Sequence, residues 1–485
     1  MKQFLERLVG ARTGLAFCAL GLATMGGMCP NMMQPPTGEE ANWVRAFDAS
    51  QVGALSAVWG SSADSVFAVG GIPGQGEVYH YDGENWQAML VPDVPLLVWV
   101  FGFGPDNVYA VGEEGGIIHF DGVRWRRLNL GATEDLWGIW GTSPDDMWIV
   151  GGDLDQGSPA LYQFDGATLT AIDLPANDRS PTALFKVWGI GSKVIAVGSN
   201  GLIIEYDGTS WSQMPSGAAA DDDFVSLWGT SPDNIVAVGG RSVGQIAHYD
   251  GNSWTTQKQS GVPGLNAVYM TDAAEAIIGG VNGLVGSYNP MTSTLMTENA
   301  STTLTIHGIW GDGMDRFYGV GGRFSDPYSG LALVRTFEAV VDNPDPPADA
   351  PPLATNLELG IANGAPYRVL NPGDEMPVFA GGQGGFHIFL SMQLTGFPAG
   401  ETVQITRSAR LSEDDTSVID PLTFNILFSE IEPGVNELRD LFIQLTTNRS
   451  NVVDRLGVIS IELTSTTDPT LTASAEIEVL FVANQ

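Results

Sequence analysis

The chain has 485 residues, 56 acidic against 21 basic, and a formal net charge of −35. Phosphate contacts need a basic face, so this balance argues against a nucleic-acid partner. With 44% hydrophobic and 9% aromatic residues, the composition is that of a globular protein long enough for more than one domain.

Residues 1–29 read as an export signal. Lys2, Arg7 and Arg12 precede an uncharged stretch, 13–28, that is too short and too rich in Gly to favour a stable membrane span. The only cysteines are Cys18 and Cys29. Cys29 stands where a lipoprotein signal is cut and its Cys acylated, although Met28 is larger than the residue usual before such a Cys. The polar segment 30–41 is then a tether. The expectation is export and lipid anchoring through Cys29 at the outer membrane or cell surface, with secretion after simple cleavage as the alternative. After a cut at Cys29 no thiol pair remains for an intrachain disulfide.

Residues 42–340 repeat one phrase. An aromatic residue, in most copies Trp followed by Gly, recurs at Trp59, Phe101, Trp140, Trp188, Trp228, Tyr269 and Trp310, 39–48 residues apart. The run ending at each aromatic, such as Ser226-Leu227-Trp228, is apolar without alternation, which predicts a strand covered on both faces. Turn chemistry follows, as in Ser231-Pro232-Asp233. A second apolar run comes next, such as Ile235-Val236-Ala237-Val238-Gly239. A third ends in an aromatic, Asp and Gly: Tyr81-Asp82-Gly83, Phe120-Asp121-Gly122, Phe164-Asp165-Gly166, Tyr206-Asp207-Gly208 and Tyr249-Asp250-Gly251. Asp-Gly between apolar runs predicts a tight hairpin. Trp86, Trp125, Trp211 and Trp254 open a fourth strand.

Four short strands per repeat of about 40 residues match one propeller blade, and seven copies predict seven blades. The seventh copy lacks the Asp-Gly-x-x-Trp ending. The segment about Trp43–Phe47 resembles that ending, so Trp43 is expected to close the ring as the outer strand of blade seven, beside 331–337. Closure removes free sheet edges. Blade six is degenerate, with Tyr288-Asn289-Pro290 in place of aromatic-Asp-Gly and Leu295 in place of Trp.

Residues 341–353 form a Pro-rich acidic linker. Beyond it, 354–485 lose the period. Strands are predicted at 355–361, 385–394, 401–408, 418–428, 438–445, 456–463 and 471–481. Seven or eight antiparallel strands in that length suggest an immunoglobulin-like sandwich, without the Cys-Trp-Cys pattern of antibody domains. The expected architecture is therefore all-β: a seven-bladed β-propeller followed by an immunoglobulin-like β-sandwich.

No catalytic constellation emerges. His80, His119 and His248 share one repeat position, on strands of different blades too far apart to ligate one metal, so a packing role is expected. His307 and His387 are single. Asp153 with Asp155, and the run Asp221-Asp222-Asp223, offer hard oxygens but not the spacing of a calcium loop, so solvated acidic loops are expected. Arg124, Arg126, Arg127, Arg179, Arg241, Arg316, Arg323 and Arg335 show no repeated inward placement that would clamp an anionic sugar. Residues 381–385 lack the Lys of a phosphate loop and read as a turn. No catalytic residue, cofactor or metal is expected.

The Asp-Gly-x-x-Trp element at Asp82, Asp121, Asp207 and Asp250 resembles the end of the Asp-box repeat of sialidase-like and photosystem-assembly-type propellers. His80, His119, Glu205 or His248 replaces the leading Ser of that box. The whole repeat resembles uncharacterised exported propeller lipoproteins of gliding soil bacteria. That resemblance implies export and a binding or scaffolding role toward a protein or glycan. The alternative is a sialidase-like carbohydrate-active enzyme.

Overall fold

The computed structural model describes residues 39–339 and 355–484, apart from 51, 155–156, 221, 299, 314–315, 326, 363–365, 381–385, 399–401, 433 and 448. The export signal, Cys29 and the acidic linker lie outside the described residues.

Among the described residues, seven four-stranded antiparallel sheets follow one another along the first part of the chain. Blade one is Ala54–Ser62, Ser65–Ile72, Gln75–Tyr81 and Trp86–Met89. Blades two to six repeat the plan, each pairing its strands in chain order. The first strand of every blade touches the first strand of the next, and that of blade seven touches that of blade one. The first strands therefore circle the axis, and the molecule is a closed seven-bladed β-propeller.

The apolar runs explain this arrangement. The second strands, such as Asn234–Gly239, are buried along all or nearly all of their length, because each sheet is sandwiched between two others. A single blade exposes both apolar faces; stacking in a ring covers them. Each inner strand also carries a register shift at the same place, between Leu55 and Ala57, Leu97 and Trp99, Leu136 and Gly138, Leu184 and Lys186, Phe224 and Ser226, Leu265 and Ala267, and Ile306 and Gly308. A bulge at this point adds twist to the strand nearest the axis.

The Trp-Gly pair has a physical reason that lies one repeat away. A Cβ built on Gly60 would sit 2.6 Å from the Trp310 ring; Gly102 faces Trp59, Gly189 faces Trp140 and Gly229 faces Trp188 in the same way. The indole of one blade fills the space left by the glycine of the next. Trp228 and Tyr269 continue the belt with ring centroids 4.5 Å apart, and Tyr269 and Trp310 with 6.3 Å. All seven repeat aromatics thus lie on the inner strands, with Trp140, Trp188 and Trp310 buried.

Blade seven is Thr305–Gly311, Phe317–Arg323 and Ser329–Ala339, completed by Glu39–Arg45 from the other end of the chain. The N-terminal strand stops before Phe47, short of the sequence expectation. Phe47 instead packs on Tyr79 and Trp86 of blade one, at 5.4 and 5.1 Å.

The C-terminal region has ten strands among the described residues, not seven or eight, and they are not all antiparallel. Three strands were missed by the sequence reading: the short Arg368–Val369 and Ser429–Glu432, and the longer Asp374–Ala380. The last has the larger role. It runs parallel to Thr472–Ala483 at its start and pairs antiparallel with Phe386–Thr395 at its end. It thereby joins two groups of strands whose apolar side chains, among them Ile388, Leu390, Ile405, Ile459 and Phe481, share one core.

Candidate functional site

Antiparallel succession gives the ring two different rims. One rim carries the turns between first and second strands and the Asp-Gly turns between third and fourth. The other carries the turns between second and third strands and the blade-to-blade loops.

The Asp-Gly rim is built by its own side chains. Asp82 Oδ1 accepts the backbone N–H groups of Glu84 at 3.0 Å and Asn85 at 2.8 Å. Asp121, Asp165, Asp207 and Asp250 each accept two N–H groups in the same way. Gly83, Gly122, Gly166, Gly208 and Gly251 follow them with φ between 84° and 96°, which a side chain would oppose. These backbone donors hold the five carboxyls below the usual carboxylate range. In degenerate blade six, Asn289 does the same work, accepting from Met291 and Thr292.

The three repeated histidines are tied within their own blades. Nε2 of His80 lies 3.1 Å from Ser65 Oγ, that of His119 2.8 Å from Asn107 Oδ1, and that of His248 2.8 Å from Asn234 Oδ1. At the same position blade four pairs Glu205 with Lys193 at 3.2 Å, and in blade six Ser287 donates to Glu275 at 3.0 Å. One position thus carries one cross-strand polar contact, satisfied by a His–Asn, His–Ser, Lys–Glu or Ser–Glu pair according to the blade. Burial lowers the pKa of all three histidines.

Trp43 sits 2% exposed on the strand that completes blade seven. Its indole N–H donates to Glu298 Oε2 of blade six at 2.8 Å. Arg335 of blade seven donates to the same carboxylate through Nε at 3.0 Å and Nη2 at 2.5 Å. Burial pushes the Glu298 carboxyl up, against the pull of Arg335 and the indole N–H. In blades two and five the corresponding Trp125 and Trp254 reach only a Met sulfur of the preceding blade, at 3.4 Å. The closing junction therefore has the strongest acceptor of the three.

The opposite rim is joined to the C-terminal domain at blades five to seven. Arg323 donates to Asp440 Oδ2 at 2.8 Å, with both side chains at most 10% exposed, and its guanidinium lies over the Phe389 ring. Asn282 Oδ1 accepts the Phe442 N–H at 2.8 Å, and Thr303 Oγ1 donates to the Arg439 carbonyl at 2.7 Å. Val243 packs on the C-terminal core. Asp440 holds φ +53°, a costly backbone state for a non-glycine residue, which aims its carboxylate at Arg323.

One sequence expectation fails here. Asp222 and Asp223 are not solvated; both are 7% exposed. Asp222 pairs with Lys258 at 2.9 Å, while Asp223 receives Arg241 Nε at 2.9 Å and the Asn200 N–H at 2.9 Å. The chain folds back there and brings cations that sequence distance conceals. Arg323 and Arg335, which showed no repeated inward placement in the sequence, are the buried halves of long-range ion pairs.

No protein-family model matches the sequence, and no curated protein matches it. Solved structures with a similar fold include YCF48 bound to D1 peptide, 13% identical, covering 62% of this chain and 97% of that one with a TM-score of 0.46. YCF48 from Cyanidioschyzon merolae is 14% identical, covering 60% and 98% with a TM-score of 0.47. The WD40 β-propeller domain of Doa1 is 11% identical, covering 61% and 97% with a TM-score of 0.47.

Proposed function

We propose that this protein is exported, anchored through an acylated Cys29 at the outer membrane or cell surface, and serves there as a non-enzymatic binding and scaffold module for a protein or glycan. One observation carries the reading. The repeat's recurring reactive side chains, its Asp and His, are bonded inside their own blades, the Asp in turns and the His across strands. What varies from blade to blade is the loops, on a ring fixed by its aromatic belt. The same reading takes the C-terminal domain as immunoglobulin-like, supported by two groups of strands around one core. It also keeps the likeness to exported propeller lipoproteins of gliding soil bacteria.

The anchor is tested by metabolic labelling with an alkyne fatty acid. Label on the wild type that disappears in C29S is expected; unlabelled, freely soluble wild type would refute anchoring. An envelope pull-down with the purified chain is expected to enrich a partner that a denatured control does not. Turnover of fluorogenic glycosides, abolished by a single carboxylate substitution, would refute the non-enzymatic reading in favour of a sialidase-like enzyme.

A further inference from the structure

The chain has four lysines, Lys2, Lys186, Lys193 and Lys258. Lys193 pairs with Glu205 at 3.2 Å and Lys258 with Asp222 at 2.9 Å. Lys186 differs. It is 3% exposed, and among the described residues no acid pairs with it, in a chain that carries 56 acids.

Its position is defined by the repeat. Lys186 follows the bulge of the inner strand Leu184–Ile190 and pairs with Val197. The equivalent residues are Ala57, Trp99, Gly138, Ser226, Ala267 and Gly308. Only blades two and four place a bulky side chain at this level. Gly138 of blade three stands between them, and a Cβ there would lie 3.2 Å from the Lys186 Cα. The missing side chain lets the Lys186 amine lie against the Trp99 ring. At the preceding position Trp137 and Phe185 meet edge to face, with centroids 5.8 Å apart. The result is one buried amine against an aromatic ring, with a second aromatic pair one position earlier on the neighbouring inner strands. The contacts with the C-terminal domain described above fall on the other blades, five to seven.

Burial, with no acid alongside, holds the Lys186 amine well below its ordinary range. A desolvated lysine in apolar surroundings is a nucleophile at neutral pH, whereas an ion-paired ammonium is not. We propose that Lys186 is a covalent capture site for a small apolar aldehyde or ketone that enters along the propeller axis from the side of blades two to four. The amine lone pair adds to the carbonyl carbon to give a carbinolamine. Loss of water then gives the imine, with no change of oxidation state, and hydrolysis releases the ligand. Trp99, against which the amine lies, suits an aryl or alkyl substituent on that carbonyl.

The test uses the purified full chain with benzaldehyde and cyanoborohydride, read by intact mass and peptide mapping. At pH 7 the reduced adduct is expected on Lys186 at least about tenfold faster than on Lys193 or Lys258, whose ammonium groups are engaged in ion pairs. Lowering the pH from 9 to 7 should leave the rate at Lys186 nearly unchanged. K186M, checked for an unaltered melt, should lose the fast adduct; if it fails to fold, the site-resolved pH profile of the wild type decides alone. Equal labelling of the three lysines, or an unlabelled Lys186 while the others react, would overturn the proposal. Benzoate binding that is lost in K186M, with no aldehyde adduct, would overturn it in favour of an ion-pairing ammonium.

Discussion

Replacing Trp43 by Phe probes the junction on which the ring depends. The substitution keeps most of a side chain that is 2% exposed, but it removes the N–H that donates to Glu298. A hydrogen bond to a charged group contributes about 1.5–3 kcal/mol, and a buried acceptor left short costs its desolvation. W43F should therefore destabilise the propeller by about 2 kcal/mol. Trp254 is the internal control: it occupies the same repeat position, is also buried, and donates only to a Met sulfur. Thioether sulfur is a weak acceptor, so W254F should cost less than about 1 kcal/mol. Urea unfolding followed by tryptophan fluorescence and circular dichroism gives both values. In a W43F/E298Q cycle the two effects should be non-additive, because E298Q removes the charge that strengthens the hydrogen bond W43F deletes. W43A removes the ring as well and should cost about 3–5 kcal/mol. The reasoning is refuted if W43F costs no more than W254F and E298Q adds to it independently.

Three further outcomes follow from the same geometry. G60A places a methyl group 2.6 Å from the Trp310 ring at the junction between the last blade and the first, so it should cost about 1–3 kcal/mol; W310F, which removes the clashing edge, should make the pair less damaging than the sum of the single changes. R323M leaves Asp440 buried without its cation and should cost about 3–5 kcal/mol, while R323M/D440N should recover part of this; an R323M protein as stable as wild type would contradict the buried pair. Burial lowers the pKa of His387 to about 4, below the unfolded value, so its contribution is complete above about pH 6.5 and is lost as pH falls toward 4. H387F keeps the stacking on Phe442 and should flatten the pH dependence of unfolding in that window; an unchanged slope would exclude His387 as its source.

What was legible in the sequence was what repeats. Trp-Gly and Asp-Gly are local signals written once per blade, so the number of blades and the place of each turn could be read directly. The N-terminal strand was readable because it copies the ending that the seventh repeat lacks. What was hidden depends on partners far along the chain. Asp374–Ala380 contains Pro377, has no strict alternation and pairs parallel with a strand about 100 residues away, so no hairpin signal marks it. Arg323 and Asp440 are separated by 117 residues, and nothing near either one indicates the other. The Asp222-Asp223 pair looked like a solvated charge run because Arg241 and Lys258 come back to it only in the folded blade. Lys186 could have been singled out by aligning the repeats, since it is the one lysine among the equivalent inner-strand positions.

The most direct test of the closed ring is native-state hydrogen exchange read by mass spectrometry on the peptides covering 41–46 and 329–338. The Ala46 amide donates to the Ala332 carbonyl at 2.9 Å, so both peptides should be protected and should open in the same unfolding step. If 41–46 exchanges within seconds while 329–338 stays protected, the N-terminal segment is a free tail and the ring is not closed by it.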